Sequence, residues 1–233
     1  MRVAVLATGG KDSILALHRV LNQGYKVECL VSMIPLREDS WMFHYPNIRL
    51  VDLVAEAVGL PLVKAETSGV KEEEVEDLER LIGKLDVEGV VSGAIASNYQ
   101  KTRIDNICKE LNIKSITPLW HEKPLNILKE ILNLRFEVII TGVYAYGFDK
   151  EWLGRRINEK AVEELVKLSK KYKISLVGEG GEYETLVLDA PLFKKRIKIL
   201  EFEEIWENQS GLLLVKKARL ESKEKTGKVY FDA

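Results

Sequence analysis

Residues 2–20, RVAVLATGGKDSILALHRV, decide how the rest of the chain is arranged. The apolar, β-branched start at 3–7 predicts a strand, and apolar residues at 14, 17 and 21 have helical spacing. Between them lies TGGKDS, residues 8–13. A glycine turn between a strand and a helix leaves backbone N–H groups unpaired at the positive end of the helix dipole, where a phosphate binds readily.

This loop is therefore predicted to bind an anion through its backbone and side chains. The glycines permit positive φ or close approach of a ligand, the lysine adds charge, and the hydroxyls add donors. An ordinary tight turn is the alternative, and a clear strand before the motif favours phosphate binding over it. The predicted anion-binding residues are Thr8, Gly9, Gly10, Lys11, Asp12 and Ser13.

Two common phosphate-binding motifs are excluded by the residues present. A Walker A loop needs glycine where Val5 stands and Ser or Thr where Asp12 stands, and no G-x-G-x-x-G occurs. What remains resembles the SGGxDS loop of the PP-loop ATP pyrophosphatases, with Thr8 keeping the hydroxyl of the first serine. In that family the loop grips the β/γ end of ATP, and AMP is transferred to an oxygen of the substrate.

Composition narrows the class of protein further. The chain has 233 residues, 46% of them hydrophobic, which supports a sizeable core. Its 35 basic and 36 acidic residues give a net charge of -1, so a nucleic-acid partner is not expected, although a local basic patch stays open. Cys29 and Cys108 lack metal-ligand spacing and are expected to pack in the core. Without a signal peptide or a membrane-spanning run, a cytoplasmic protein with no membrane partner is expected.

The order of predicted elements indicates an α/β fold with two parts. Strands alternate with helices over 1–119, which predicts a doubly wound, mostly parallel, Rossmann-like sheet that binds ATP. Residues 115–120 are expected to close that sheet as a strand. Residues 120–233 are predicted to form a smaller C-terminal α/β domain that binds substrate and ends in a β-hairpin.

Further ATP contacts are expected at the carboxyl ends of the strands. Ser32 and Met33 end the second strand and are candidates for contact with adenine, although Met33 could equally belong to the core. Gly93 lies near the end of the buried strand predicted over 89–94 and is a third ATP-binding candidate. His44 lies in an aromatic loop between prolines and is a substrate-binding candidate, an ordinary surface histidine being the favoured alternative.

A second group of candidates begins a helix on the same sheet edge. Ser97, Tyr99 and Arg103 are predicted to bind substrate, and Arg103 could fork onto a phosphate or carboxylate. The alternative for Arg103 is an ion pair with Asp105 or Glu110 on its own helix.

The segment LVGEGGEYETLVLDAP, residues 176–191, is a second glycine-rich landmark. Its three glutamates, Glu179, Glu182 and Glu184, need partners if they are packed, and a site for ammonium, another cation or a metal-bound phosphate would supply them. A solvated loop is the alternative. Gly180, Gly181 and Thr185 complete the predicted substrate-binding set.

Three stretches together resemble the diphthine–ammonia ligases: TGGKDS, GAIASNYQKTRIDNICKELN and GEGGEYETLVLDAPLF. That resemblance implies a compact archaeal-type ligase of diphthamide biosynthesis that uses ATP, Mg²⁺ and ammonium. It would amidate diphthine on translation elongation factor 2 through an acyl-adenylate, releasing AMP and pyrophosphate. The implied catalytic residues are Lys11, Asp12, Glu182 and Glu184.

Two other functions stay open at this point. The shared first motif also fits another PP-loop adenylating enzyme, such as a tRNA base modifier, and a regulator that binds ATP or AMP without turnover. The residues assign no metal ligands, and a homodimer is left open.

Overall fold

The computed structural model describes residues 1–36, 47–68, 70 and 73–223, and this part of the chain forms two sheets with helices around them. The strands are β1 Arg2–Leu6, β2 Lys26–Pro35, β3 Leu62–Thr67, β4 Gly89–Val91, β5 Lys114–Ile116, β6 Glu137–Val143, β7 Tyr183–Asp189, β8 Lys195–Glu207 and β9 Ser210–Ser222. The α-helices are α1 Lys11–Asn22, α2 Val51–Val58, α3 Glu73–Ile82, α4 Asn98–Glu110, α5 Pro124–Asn133 and α6 Glu159–Tyr172.

The first sheet is parallel, with strand order β3-β2-β1-β4-β5. The chain proceeds from β1 to β2 and β3 on one side and then returns to place β4 and β5 on the other. In doubly wound sheets a ligand binds at the carboxyl ends of the strands where the order reverses, here between β1 and β4. The predicted Rossmann-like fold is confirmed.

The second sheet is antiparallel, with order β7-β6-β9-β8. Strands β8 and β9 form the predicted hairpin. The strand predicted over 115–120 is wrong beyond Ile116, because the chain turns there: Trp120 N–H donates to the carbonyl of Thr117 at 3.1 Å, and Glu122 N–H donates to that of Leu119 at 3.1 Å. The apolar residues at 115–120 suggest a strand, but these hydrogen-bonded turns prevent the strand from continuing beyond Ile116.

One apolar core joins the two sheets. Ile14 and Leu17 of α1 belong to the same buried cluster as Ile127 of α5, Val138 of β6 and Leu186 of β7. A smaller cluster, which includes Met33 and Cys108, packs α3 and α4 against the parallel sheet. Because α1 packs directly on the second sheet's core, the loop before α1 is held close to strand β7.

Candidate functional site

The loop at 8–13 is braced by its own side chains. Thr8 N–H donates to Ser13 Oγ at 3.4 Å, Ser13 Oγ donates to the Gly10 carbonyl at 3.0 Å, and Gly10 N–H donates to Thr8 Oγ1 at 3.4 Å. Gly9 has φ of +83°, a conformation that favours glycine, and Gly10 precedes α1 with extended backbone and no side-chain cap. The start of α1 therefore faces a cleft with its backbone donors and dipole available to an anion.

Strand β7 of the second sheet abuts this loop. Lys11 N–H donates to Thr185 Oγ1 at 3.1 Å, and Val187 N–H donates to the Gly9 carbonyl at 2.9 Å. A Cβ on Gly10 would lie 3.4 Å from the Thr185 carbonyl oxygen. Thr185 thus contacts the predicted phosphate loop itself, which brings the two glycine-rich landmarks of the sequence together.

The Lys11 side chain points into the protein and is only 2% exposed. Its ammonium group donates to the Val177 carbonyl and to Asp12 Oδ2, the latter at 2.9 Å, and lies 5.2 Å from the centre of the Tyr183 ring. Asp12 balances the buried charge. Burial and the nearby Asp12 carboxylate raise the pKa of Tyr183 well above its ordinary value, so this phenol stays neutral. Lys11 therefore connects the anion loop to Val177 in the second landmark.

Glu179 is held by backbone groups of the first sheet's edge. Its carboxylate accepts N–H bonds from Ile95 at 2.6 Å, from Ala96 at 2.7 Å and from Ser97 at 3.0 Å. Three consecutive N–H groups at the start of α4 form a concave anion site, and Glu179 fills it. This contact joins the second landmark to the segment after β4.

Glu182 organises its own loop. Its carboxylate accepts N–H bonds from Ser175 at 2.7 Å and from Gly180 at 2.9 Å. Gly181 has φ of +82°, so the turn between them favours glycine. Backbone N–H groups supply partners for both Glu179 and Glu182, so neither glutamate requires a cation to satisfy its charge. The catalytic role of Glu182 stays a prediction.

Glu184 lies on β7 in the wall of the cleft, beside Thr185. The Tyr144 phenol lies near its carboxylate: burial and, after it, the negative charge of Glu184 raise the pKa of Tyr144 far above its ordinary value. Asp12, Glu179 and Glu184 all line the cleft: Asp12 accepts from the Lys11 ammonium and Glu179 from backbone N–H groups, whereas Glu184 lies beside the phenol of Tyr144. Sequence reasoning missed Tyr144, whose only signal was its place after the buried strand β6.

The substrate-binding candidates at the start of α4 make different contacts in the structure. Ser97 Oγ caps the helix by accepting the N–H of Gln100 at 3.3 Å. The Arg103 guanidinium stacks on the Tyr99 ring at 3.6 Å, and its Nη1 lies 3.5 Å from the Tyr99 carbonyl. From this helix, Gln100 and Ile104 line the cleft. Substrate binding by Ser97, Tyr99 and Arg103 stays a prediction.

Gly93 packs against the anion loop. A Cβ there would lie 2.8–2.9 Å from the backbone of Asp12 and Ser13. Gly93 and its neighbour Ser92 both line the cleft. The Ser92 hydroxyl is buried and, within the described structure, has no hydrogen-bond partner, which a polar ligand in the cleft could supply. Ser92 belongs to no motif identified in the sequence, although Ser92 follows β4 at the expected crevice.

Ser32 and Met33 lie outside this cleft wall. Both are interior residues of β2, on the side of β1 away from β4, and Met33 is 1% exposed within the smaller apolar cluster. Their contact with adenine stays a prediction. His44 falls outside the described residues.

Few acidic side chains among the described residues of the cleft are available to coordinate a metal ion. In the described ranges, no cluster of three or more His, Cys, Asp or Glu side chains has metal-binding geometry. Mg²⁺ in nucleotide sites is usually held by one or two carboxylates together with phosphate oxygens. Asp12 is positioned for such a role, since it lines the cleft at the start of α1.

The prediction that both cysteines pack in the core is confirmed. Cys29 and Cys108 are both buried thiols, and burial raises their pKa values, that of Cys108 to about 11. No helix in the described part of the chain combines the length and apolar character that a membrane crossing requires.

Two family models match most of the chain. Residues 1–115 match the diphthamide synthase N-terminal domain, and residues 123–220 match the diphthamide synthase C-terminal domain. The chain is 38% identical over 222 residues to a diphthine–ammonia ligase of Rattus norvegicus, covering 85% of this chain and 83% of that protein. The human protein of the same name is 36% identical over 220 residues, covering 84% and 82%.

A longer relative and one solved structure complete the comparison. The diphthine–ammonia ligase of Schizosaccharomyces pombe is 37% identical over 91% of this chain, which corresponds to 38% of that protein. A solved structure of a predicted tRNA methyltransferase subunit from Methanocaldococcus jannaschii overlaps 82% of this chain and 98% of its own, with a TM-score of 0.44 and 18% identity. A TM-score this low supports no inference about this chain.

Proposed function

Because the chain belongs to the diphthamide synthase family, we propose that it is an ATP-dependent ligase that forms the C–N bond of diphthamide. The substrate would be the diphthine carboxylate on translation elongation factor 2, and ammonium would supply the nitrogen. The observation that carries the proposal is a single cleft lined by the anion loop at 8–13 and by residues of the second landmark, among them Glu179, Glu184 and Thr185.

In the first step, a diphthine carboxylate oxygen attacks the α-phosphorus of ATP. The bond to the bridging oxygen breaks, pyrophosphate leaves, and an acyl-adenylate forms. The loop's part is to hold the triphosphate so that the leaving group lies opposite the attacking oxygen. The N–H groups of Asp12 and Ser13 in the first turn of α1 and the hydroxyl of Thr8 would bind its oxygens, while the Ser13 hydroxyl braces the loop by donating to the Gly10 carbonyl. Fixed donors of this kind stabilise the charge that builds up on the departing pyrophosphate.

In the second step, ammonia attacks the acyl carbonyl carbon and AMP leaves. Ammonium is the abundant form at neutral pH and must lose a proton before it can attack. Glu184 is a carboxylate in the cleft wall and could accept that proton. Glu179 and Glu182 accept backbone N–H bonds, so they are better suited to holding the loop than to moving protons.

Mg²⁺ fits the cleft as a partner of the nucleotide. When bound, it would neutralise charge on the phosphates, and Asp12 is the carboxylate placed to contact it.

The decisive experiment combines the protein with ATP, Mg²⁺, ¹⁵N-ammonium and diphthine-stage elongation factor. Formation of AMP and pyrophosphate with ¹⁵N in an amide on the factor is the expected result. AMP and pyrophosphate with an unchanged factor would move the substrate elsewhere, with steeply salt-dependent RNA binding then indicating a tRNA modifier. Nucleotide binding without pyrophosphate release would indicate a regulator. Either outcome would overturn the proposal.

A variant pair tests the assigned acid. Glu184→Gln should slow amide formation, while Glu201→Gln on the exposed strand β8 should leave it unchanged. A Glu184→Gln protein that amidates at the wild-type rate would remove Glu184 from the chemistry.

A further inference from the structure

Tyr144 lies where strand β6 ends, directly beside the start of β7. Its backbone N–H donates to the Glu182 carbonyl at 2.9 Å, which extends the pairing of the two strands by one residue. Within that pairing, Gly142 of β6 stands opposite Glu184 of β7. The backbone therefore brings Tyr144, Gly142 and Glu184 to one end of the second sheet.

The Tyr144 ring occupies the space that a side chain at position 142 would need. A Cβ on Gly142 would lie 2.6 Å from the Tyr144 hydroxyl oxygen and 2.9 Å from Cε2 and Cζ of its ring. Real Cβ atoms do not approach other atoms so closely. Gly142 is absent from the residues with positive φ, so its backbone conformation does not require glycine. Position 142 requires glycine because the Tyr144 ring lies over the strand there.

This arrangement aims the phenol at the cross-strand neighbour. Because Gly142 and Glu184 are register partners, a hydroxyl placed over Gly142 lies beside the Glu184 carboxylate. Tyr144 as a whole is 44% exposed, but partial burial of its phenol and the charge of Glu184 raise the phenol's pKa, so it keeps the proton that it could donate to this carboxylate.

From this geometry we infer that Tyr144 is a positioning residue that holds the Glu184 carboxylate in the cleft wall for the ammonia-dependent step. The inference rests on the proposed function, which gives Glu184 the proton from ammonium. Glu184 could otherwise rotate about its side-chain bonds, and a fixed donor restricts it to orientations that keep one oxygen toward Tyr144.

The test is Tyr144→Phe, which keeps the ring and removes only the donor. Hydrogen bonds to charged groups are strong enough that we expect kcat/KM for ammonium to fall about ten- to hundredfold. The KM for ATP and the exchange of pyrophosphate into ATP, which report the first step, should stay unchanged. Tyr146→Phe is the matched control, because Tyr146 is 64% exposed and packs edge-on against Tyr172.

Two further results separate positioning from a merely structural role. In a Glu184→Gln background, Tyr144→Phe should have little additional effect, since its target is already altered. Equal losses in both half-reactions, or unchanged ammonium kinetics, would overturn the inference. If the wild-type protein forms no amide at all, the proposed function is wrong, and the role of Tyr144 is then tested without an activity assay. In a crystal structure of Tyr144→Phe, a Glu184 side chain that has turned from its wild-type position supports positioning by Tyr144. An unmoved Glu184 side chain refutes it.

Discussion

Replacing Glu179 by alanine should weaken the joint between the two sheets. The Glu179 carboxylate accepts N–H bonds from three consecutive residues, 95–97, across the cleft. A hydrogen bond to a charged group contributes ~1.5–3 kcal/mol when buried. The three share one carboxylate, and Ala96 is exposed enough for water to replace the lost partner, so their sum overstates the loss. We expect the free energy of unfolding to fall by about 2 kcal/mol.

Glu179→Gln should lie between wild type and alanine. An amide keeps one acceptor oxygen of similar reach, but its NH₂ group would face N–H donors that the second carboxylate oxygen now binds. Urea unfolding followed by tryptophan fluorescence gives the midpoint and slope for each protein. Glu163→Ala is the matched control, because Glu163 is an exposed residue of α6.

The same proteins separate holding the loop from binding substrate. If Glu179 only holds the joint, Glu179→Ala should lose stability while the KM for ammonium in the surviving folded protein changes little. An alanine variant that unfolds at the same urea concentration as Glu163→Ala would refute the reasoning from hydrogen bonds. A raised KM for ammonium with unchanged stability would instead return Glu179 to the substrate-binding set.

Three further outcomes follow from packing and burial. Gly93→Ala should abolish tight ATP binding, because the added Cβ would lie 2.8–2.9 Å from the backbone at the start of α1. Calorimetry measures the affinity for ATP, and a value equal to that of the wild type would contradict this. Cys29 and Cys108 should resist a disulfide reagent at neutral pH and react only in urea, since burial raises both thiol pKa values; rapid labelling of folded protein would show otherwise. Burial lowers the pKa of His18, so the unfolded state binds more protons below about 6.5 and stability falls as pH drops through that value. His18→Phe should lose less stability than wild type between neutral and acid pH in urea titrations, and an identical loss would contradict the assignment.

Local chemistry explains why the first landmark could be identified from sequence. Residues 2–22 contain a buried strand, a glycine turn and an amphipathic helix in direct succession, and each depends mainly on nearby residues. The parallel order of the first sheet follows from the alternation of strands and helices. Family membership was likewise readable, because the motif GEGGEYET is specific and needs no coordinates.

The course of the chain after β5 could not be derived in the same way. Leu119 and Trp120 have the apolar character of a strand, yet the turns at 117–122 send the chain toward α5. Leu119 is fully buried in the shared core, so packing accounts for its apolar side chain. A short apolar run predicts burial more reliably than it predicts the element that is buried.

The sequence by itself determined that this chain has a glycine turn between a strand and a helix at 8–13, a parallel Rossmann-like sheet and an acidic second landmark, because these depend on short-range pattern and residue type. Only the tertiary structure decided what the acids do. Glu179 meets N–H groups more than eighty residues away, and Glu184 meets Tyr144 through strand register. Contacts between distant segments depend on how two sheets pack, and no spacing along the chain encodes which carboxylate is satisfied by backbone and which is left facing the cleft.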